Sequence, residues 1–213
     1  MNDIKVFDKP IRKPNNRGIR KVTGHFSSLK TGESNAWESQ FERDYFYHLE
    51  IDKDVIEYRS QSVKISYQLN GKQRIFYPDV FENRKDEKSI AEVKPKSKLD
   101  KNKAKFSIVE SICEDNGFVF KVVTEDQIYV DPKLPKIKLL YRYARDLMRM
   151  DQYSRIMDLF SRNGNRMFLK DALNELKSAK LGKSKIFHLI YHGFLSMDLM
   201  KPLDDDSEIW VTA

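Results

Sequence analysis

Three polar clusters in this 213-residue chain could do chemistry together: Glu42 in an aromatic run, the pair Pro78-Asp79, and Glu92-Val93-Lys94. Asp79 and Glu92 are thirteen residues apart, on segments that read as neighbouring strands of one hairpin. Carboxylates from a helix and two strands supply the oxygen ligands that Mg²⁺ requires, with Mn²⁺ as a substitute. A lysine two positions beyond the last acid supplies a cation or base beside an attacked phosphorus. The expected metal ligands are Asp79 and Glu92, with Glu42 binding directly or through water. Lys94 is expected to orient or deprotonate the attacking water, or to offset charge in the transition state. Taken singly, each is an ordinary surface charge. Their joint order along the chain is what points to phosphodiester hydrolysis.

The elements that must carry these residues can be read from periodicity. Trp37, Phe41, Tyr45 and Leu49 recur every four residues, the stripe of a helix starting near Asn35. Asn35 reads as its N-cap and Glu38 as the capping-box partner, which leaves Glu42 for function. Residues 63–69 alternate, Asn70-Gly71 fits a type I′ turn, and 74–81 return. Pro78 cannot donate to a ladder, so the strand breaks there and Asp79 is freed. A strand over 89–94 puts Glu92 and Lys94 on one face. A helix over 99–116 should bury Phe106, Val109, Ile112 and Cys113, and a strand over 118–124 completes a mixed sheet with flanking helices. Lys96, Lys98, Lys101, Lys103 and Lys105 crowd that helix's entrance; a solvated face explains them, as does the rim of a site. Gln61, Lys96 and Lys98 are the auxiliary or DNA-contacting candidates.

Composition bounds the function class. Thirty-nine Lys+Arg against 32 Asp+Glu leave +7, which suits a polyanionic partner. Up to Lys30, eight basic residues face only Asp3 and Asp8, so +6 sits in a stretch without periodicity. Residues 1–34 are therefore expected to form an extended basic arm, a solvated tail or one that tracks DNA phosphates. The nuclease core is placed at 35–130, a linker at 131–136 and a second domain at 137–213. That second domain is classed as all-helical and winged-helix-like, with helices over 137–150, 152–162, 168–179 and 184–191, followed by two short apolar segments, 194–200 and 208–211, read as a terminal hairpin. The single Cys113 excludes internal disulfides and thiolate metal sites. His188 and His192, spaced i, i+4, lack a third zinc ligand close by and read as a packed and a surface histidine. There is no glycine-rich phosphate loop, no G-x-S-x-G elbow, no signal-peptide start and no apolar run of about eighteen residues. A bacterial cytoplasmic location, with the protein at the nucleoid when active, is the expectation.

Residues 37–45, Leu49-Glu50-Ile51-Asp52, Ser60-Gln61, Tyr77-Pro78-Asp79-Val80, Ala91-Glu92-Val93-Lys94-Pro95 and 122–128 together resemble the TnsA family of transposon-encoded endonucleases. The resemblance spans roughly 20–130 and implies a restriction-endonuclease-like α/β fold. It implies Mg²⁺-dependent cleavage at the 5′ ends of a transposon, while a TnsB-like transposase cuts and joins the 3′ ends. Glu42 matches the family's helix glutamate, Asp79 its metal-binding aspartate, Glu92 the next ligand and Lys94 the catalytic lysine. Double-stranded DNA, the TnsB-like transposase and a TnsC-like AAA+ ATPase are the implied partners. The alternatives are a free-standing restriction-like or junction-resolving nuclease, and a non-catalytic DNA-binding scaffold.

Overall fold

The structure, a computed structural model, describes residues 2–12 and 22–212. The chain divides into two compact units, Met1–Tyr129 and Val130–Ala213. In the first unit Asn70 and Gly71 take φ of 53° and 70°. This closes the expected two-residue hairpin between β5 (Val63–Leu69) and β6 (Lys72–Phe76), a turn that needs positive φ at both central positions.

The expectation of an unpacked arm over 1–34 is corrected. β1 (Asp3–Val6) pairs antiparallel with β5, Ile4 opposite Ile65, and β2 (Gly24–Ser27) pairs with β3 (Ser34–Trp37). Ile4 packs on the core, and Phe26 is buried with its ring 5.6 Å from Phe46 and 4.9 Å from Tyr47. Burying these side chains outweighs the preference of their basic neighbours for water. Lys13, Arg17, Arg20 and Lys21 lie outside the described residues.

α1 (Gln40–Ile51) starts later than the aromatic spacing suggests, because strand pairing captures the residues before it. Its N-cap is Ser39, not Asn35. Asn35 lies in β3, where its Oδ1 accepts from Ser60 N at 2.8 Å, and Trp37 pairs with Gly24. The buried face of α1 is Glu42, Asp44, Phe46, Leu49 and Glu50.

The central sheet runs β4-β7-β8-β9, formed by β4 (Val55–Ser60), β7 (Val80–Arg84), β8 (Lys88–Val93) and β9 (Val119–Val123). β4 was not foreseen; Val55, Tyr58 and Ser60 are buried along it. Neighbours are antiparallel except β8 and β9, which are parallel and joined by the crossover helix α2 (Leu99–Asp115). α2 buries the expected Phe106, Val109, Ile112 and Cys113. Pro78 splits what alternation suggests is one strand over 74–81. β6 belongs to the β1-β5-β6 sheet and β7 to the central one. The short α3 (Glu125–Ile128) closes the unit.

In the second unit α4 (Lys133–Tyr143) occupies most of the expected linker and ends seven residues short of the expected helix. Pro135 sits in its first turn, where a missing N–H costs no helical hydrogen bond, and Leu134, Lys136 and Ile137 are buried. α5 (Met150–Arg162), α6 (Leu169–Leu176) and α7 (Lys183–Tyr191) follow. The all-helical label is corrected: β11 (Leu195–Met197) and β12 (Glu208–Val211) pair on the two apolar segments read as a hairpin, and β10 (Arg166–Phe168), not expected, joins them in an antiparallel sheet of order β10-β12-β11. Buried Leu195, Met197 and Ile209 stabilise it. His188 Nδ1 lies 3.3 Å from Tyr143 O and His192 Nε2 2.9 Å from Ala144 O. The pair therefore meets carbonyls at the end of α4. Among the described residues no helix is long and apolar enough to cross a membrane.

Candidate active site

Sheet register brings the acids together. Val80 pairs with Ala91 across β7 and β8, so Asp79, one residue before β7, falls beside Glu92. Asp79 Oδ2 accepts from Val93 N at 2.8 Å, and the Asp79 carboxyl hydrogen-bonds Glu92. Its backbone is held from the other side: Gln61 N donates to Asp79 O at 2.9 Å. Gln61 is buried and adopts a left-handed φ of 48°, a conformation that tertiary contacts must maintain. The Gln61 main chain thus anchors that of Asp79.

Glu92 is only 2 % exposed. Its Oε1 receives Lys94 Nζ at 2.8 Å, while Oε2 is buried without a hydrogen-bond partner among the described residues. Lys94 lies just past β8, where its N–H donates to Val123 O at 2.9 Å. Ser39 Oγ donates to Glu42 Oε1 and Glu38 N to Oε2, both at 2.8 Å. Glu42 N returns a bond to Ser39 Oγ at 3.2 Å, so the capping role expected of Glu38 belongs to Glu42. Glu38 meets Arg12 Nη2 at 3.1 Å instead.

Glu42, Asp79, Glu92 and Lys94 line one cavity of about 480 Å³, together with Lys98 and Lys105. Lys96 is not among its lining residues. Its ammonium is exposed and paired with Asp126, and its N–H donates to Glu125 Oε2 at 2.8 Å. Sequence reasoning missed Arg12, placed in an arm thought to be unpacked, and did not separate Lys105 from its neighbouring lysines. Lys105 follows Lys98 by seven residues, about two helical turns, and that spacing was the available signal.

Crowding shows in the proton affinities. Burial first and the Asp79 charge second push Glu42 up to about 7 and Glu92 up to about 8. Asp79 is also raised by burial, against the pull of Lys94 and the Val93 N–H. Burial would lower Lys94, but the Asp79 and Glu92 charges outweigh it and hold the ammonium form. The three carboxyls titrate as a set.

A divalent cation fits this donor set. An unpartnered, buried carboxylate oxygen beside a second carboxyl is what an oxygen-seeking ion relieves. Among the described residues, however, no three His, Cys, Asp or Glu side chains are grouped to hold an ion. Both oxygens of Glu42 already accept hydrogen bonds at the start of α1.

Residues 52–125 match a family model described as TnsA-like endonuclease N terminal. The matched stretch contains Asp79, Glu92 and Lys94 and begins after Glu42. It supports a nuclease of the TnsA type for this part of the chain. No curated protein matches the chain.

Proposed function

We propose that the chain is a Mg²⁺-dependent DNA endonuclease, the subunit of a TnsA/TnsB-type heteromeric transposase that cuts the 5′ ends of a transposon. The observation that carries this reading is the Asp79–Glu92–Lys94 cluster, with Glu92 Oε2 left without a partner. Asp79 and Glu92 would hold the ion, with Glu42 binding it directly or through water. When bound, the ion polarises the scissile phosphate and acidifies a water molecule. Water attacks phosphorus in line, the P–O3′ bond breaks, and 5′-phosphate and 3′-hydroxyl ends remain. Lys94 offsets the charge that builds on the phosphoryl oxygens, and its ammonium form is favoured where that charge develops.

A TnsB-like transposase and a TnsC-like ATPase are the partners this reading assigns. The helices and three strands of the second unit follow the order of a winged helix, the form proposed for the module that meets them. Incubating the purified chain with transposon-end DNA and Mg²⁺, with and without the transposase, tests the reading. Weak nicking alone and strong 5′-end cleavage in the complex are expected. Robust sequence-specific cutting by the isolated chain would instead identify a free-standing nuclease.

A further inference from the structure

We infer that Lys105 is a phosphate-binding residue of this cavity, a second ammonium that grips a non-bridging oxygen of the polynucleotide backbone beside the cleaved bond. The inference rests on the nuclease reading and names a substrate contact that reading leaves open. Lys105 projects from α2 into the cavity that holds Asp79, Glu92 and Lys94. Its Nζ sits 4.2 Å from the centre of the Phe76 ring and 4.6 Å from that of Phe106. Two aromatic faces thus fix a half-buried ammonium on a chain that would otherwise roam.

Three other lysines of this unit are already matched. Lys94 pairs with Glu92, Lys96 with Asp126, and Lys121 with Glu87. Among the described residues Lys105 forms no ion pair; burial first, with Lys94, pulls its proton affinity down against the charges of Glu92 and Asp79, a deficit that a bound anion would offset. Its charge is therefore available to an incoming anion. Lys98, the residue just before α2, lines the same cavity. Cations lining one cavity suit a strand whose phosphates run past the reacting one.

The test uses the full chain and three variants, Lys105→Met, Lys105→Arg and Asp79→Ala. Met keeps the aliphatic stem on the two rings and removes the charge; Arg keeps the charge. Duplex binding is measured in Ca²⁺ across a salt series, with a neutral methylphosphonate placed at each phosphate in turn. Single-turnover cleavage is followed in Mg²⁺, and melting curves establish folding. Lys105→Met should fold, bind several-fold more weakly at low salt, and lower the salt slope by about one, while Arg restores it. One methylphosphonate position should weaken the wild type and leave the Met variant indifferent. An unchanged slope in the Met variant, or no such position, overturns the inference. If the wild type, assayed with the transposase, cleaves nothing in Mg²⁺ beyond Asp79→Ala, the nuclease reading fails. The slope and the phosphate scan still decide the role of Lys105.

Discussion

Glu92 and Glu42 tie the proposed chemistry to a pH signature. Both carboxyls hold protons more tightly in the folded chain, at about 8 and about 7, than at their ordinary value of 4.5. Between roughly pH 4.5 and 8 the metal-free folded state binds more protons than the unfolded one, so stability falls as pH rises through that window. Melts in chelator should therefore show Tm declining from pH 5.5 to 8.5 in the wild type relative to Glu92→Gln. Mg²⁺ should raise Tm more at pH 8 than at pH 5.5; equal shifts would count against metal binding at these acids. Lys94→Met should slow cleavage by about 100-fold or more while Mg²⁺ still binds, the loss expected when charge stabilisation is removed. Loss of metal affinity with unchanged chemistry would reassign Lys94. Asp79, Glu92 and Lys94 were readable because a two-residue strand period and one proline locate them. The capping role read for Glu38 falls to Glu42, because capping depends on where α1 begins, and the pairing of β3 decides that.

The start of α1 and the β2–β3 pair together set the position of Glu42. Ser39→Ala removes the N-cap and the hydroxyl on Glu42 Oε1. A cost of about 1 kcal/mol is expected, with a larger proportional loss of cleavage than of stability. Chemical denaturation beside a nicking assay reads both; unaltered cleavage would show that Glu42 needs no such support. Gly24 faces Trp37 across the ribbon, and an added Cβ would fall inside contact distance of the indole ring. Gly24→Ala should cost about 1–3 kcal/mol by overpacking. The β5–β6 hairpin and α2 could be foreseen, since Asn-Gly and an i, i+3/i+4 apolar face are local signals. β4, the joining of β1 to β5, and the change of sheet at Pro78 could not, because each depends on a strand far away in sequence.

Over the whole chain, charge and cores divide between two units. The expected boundary near 131 lies close to the observed one at Tyr129, but α4 begins almost at once, so Pro132 and Pro135 misled as linker signals. Each unit has its own buried residues; in the second, Phe160 is fully buried. Phe160→Ala should cost about 3–5 kcal/mol there and leave the Mg²⁺-dependent Tm shift of the first unit in place. Calorimetry with and without Mg²⁺ checks this, and loss of the shift would mean the units do not fold separately. The net charge of +7 is visible in the sequence, yet the side chains that could turn it toward DNA became apparent only once α2 was placed beside Asp79 and Glu92.

Anomalous diffraction from crystals of the chain soaked in Mn²⁺ reports on the proposed centre without relying on DNA or a partner. A peak should appear between the carboxyls of Asp79 and Glu92, with Glu92 Oε2 among its ligands, and Asp79→Ala should abolish it. A well-occupied peak elsewhere, or none in this cavity at saturating Mn²⁺, would contradict a metal-dependent nuclease built on these residues.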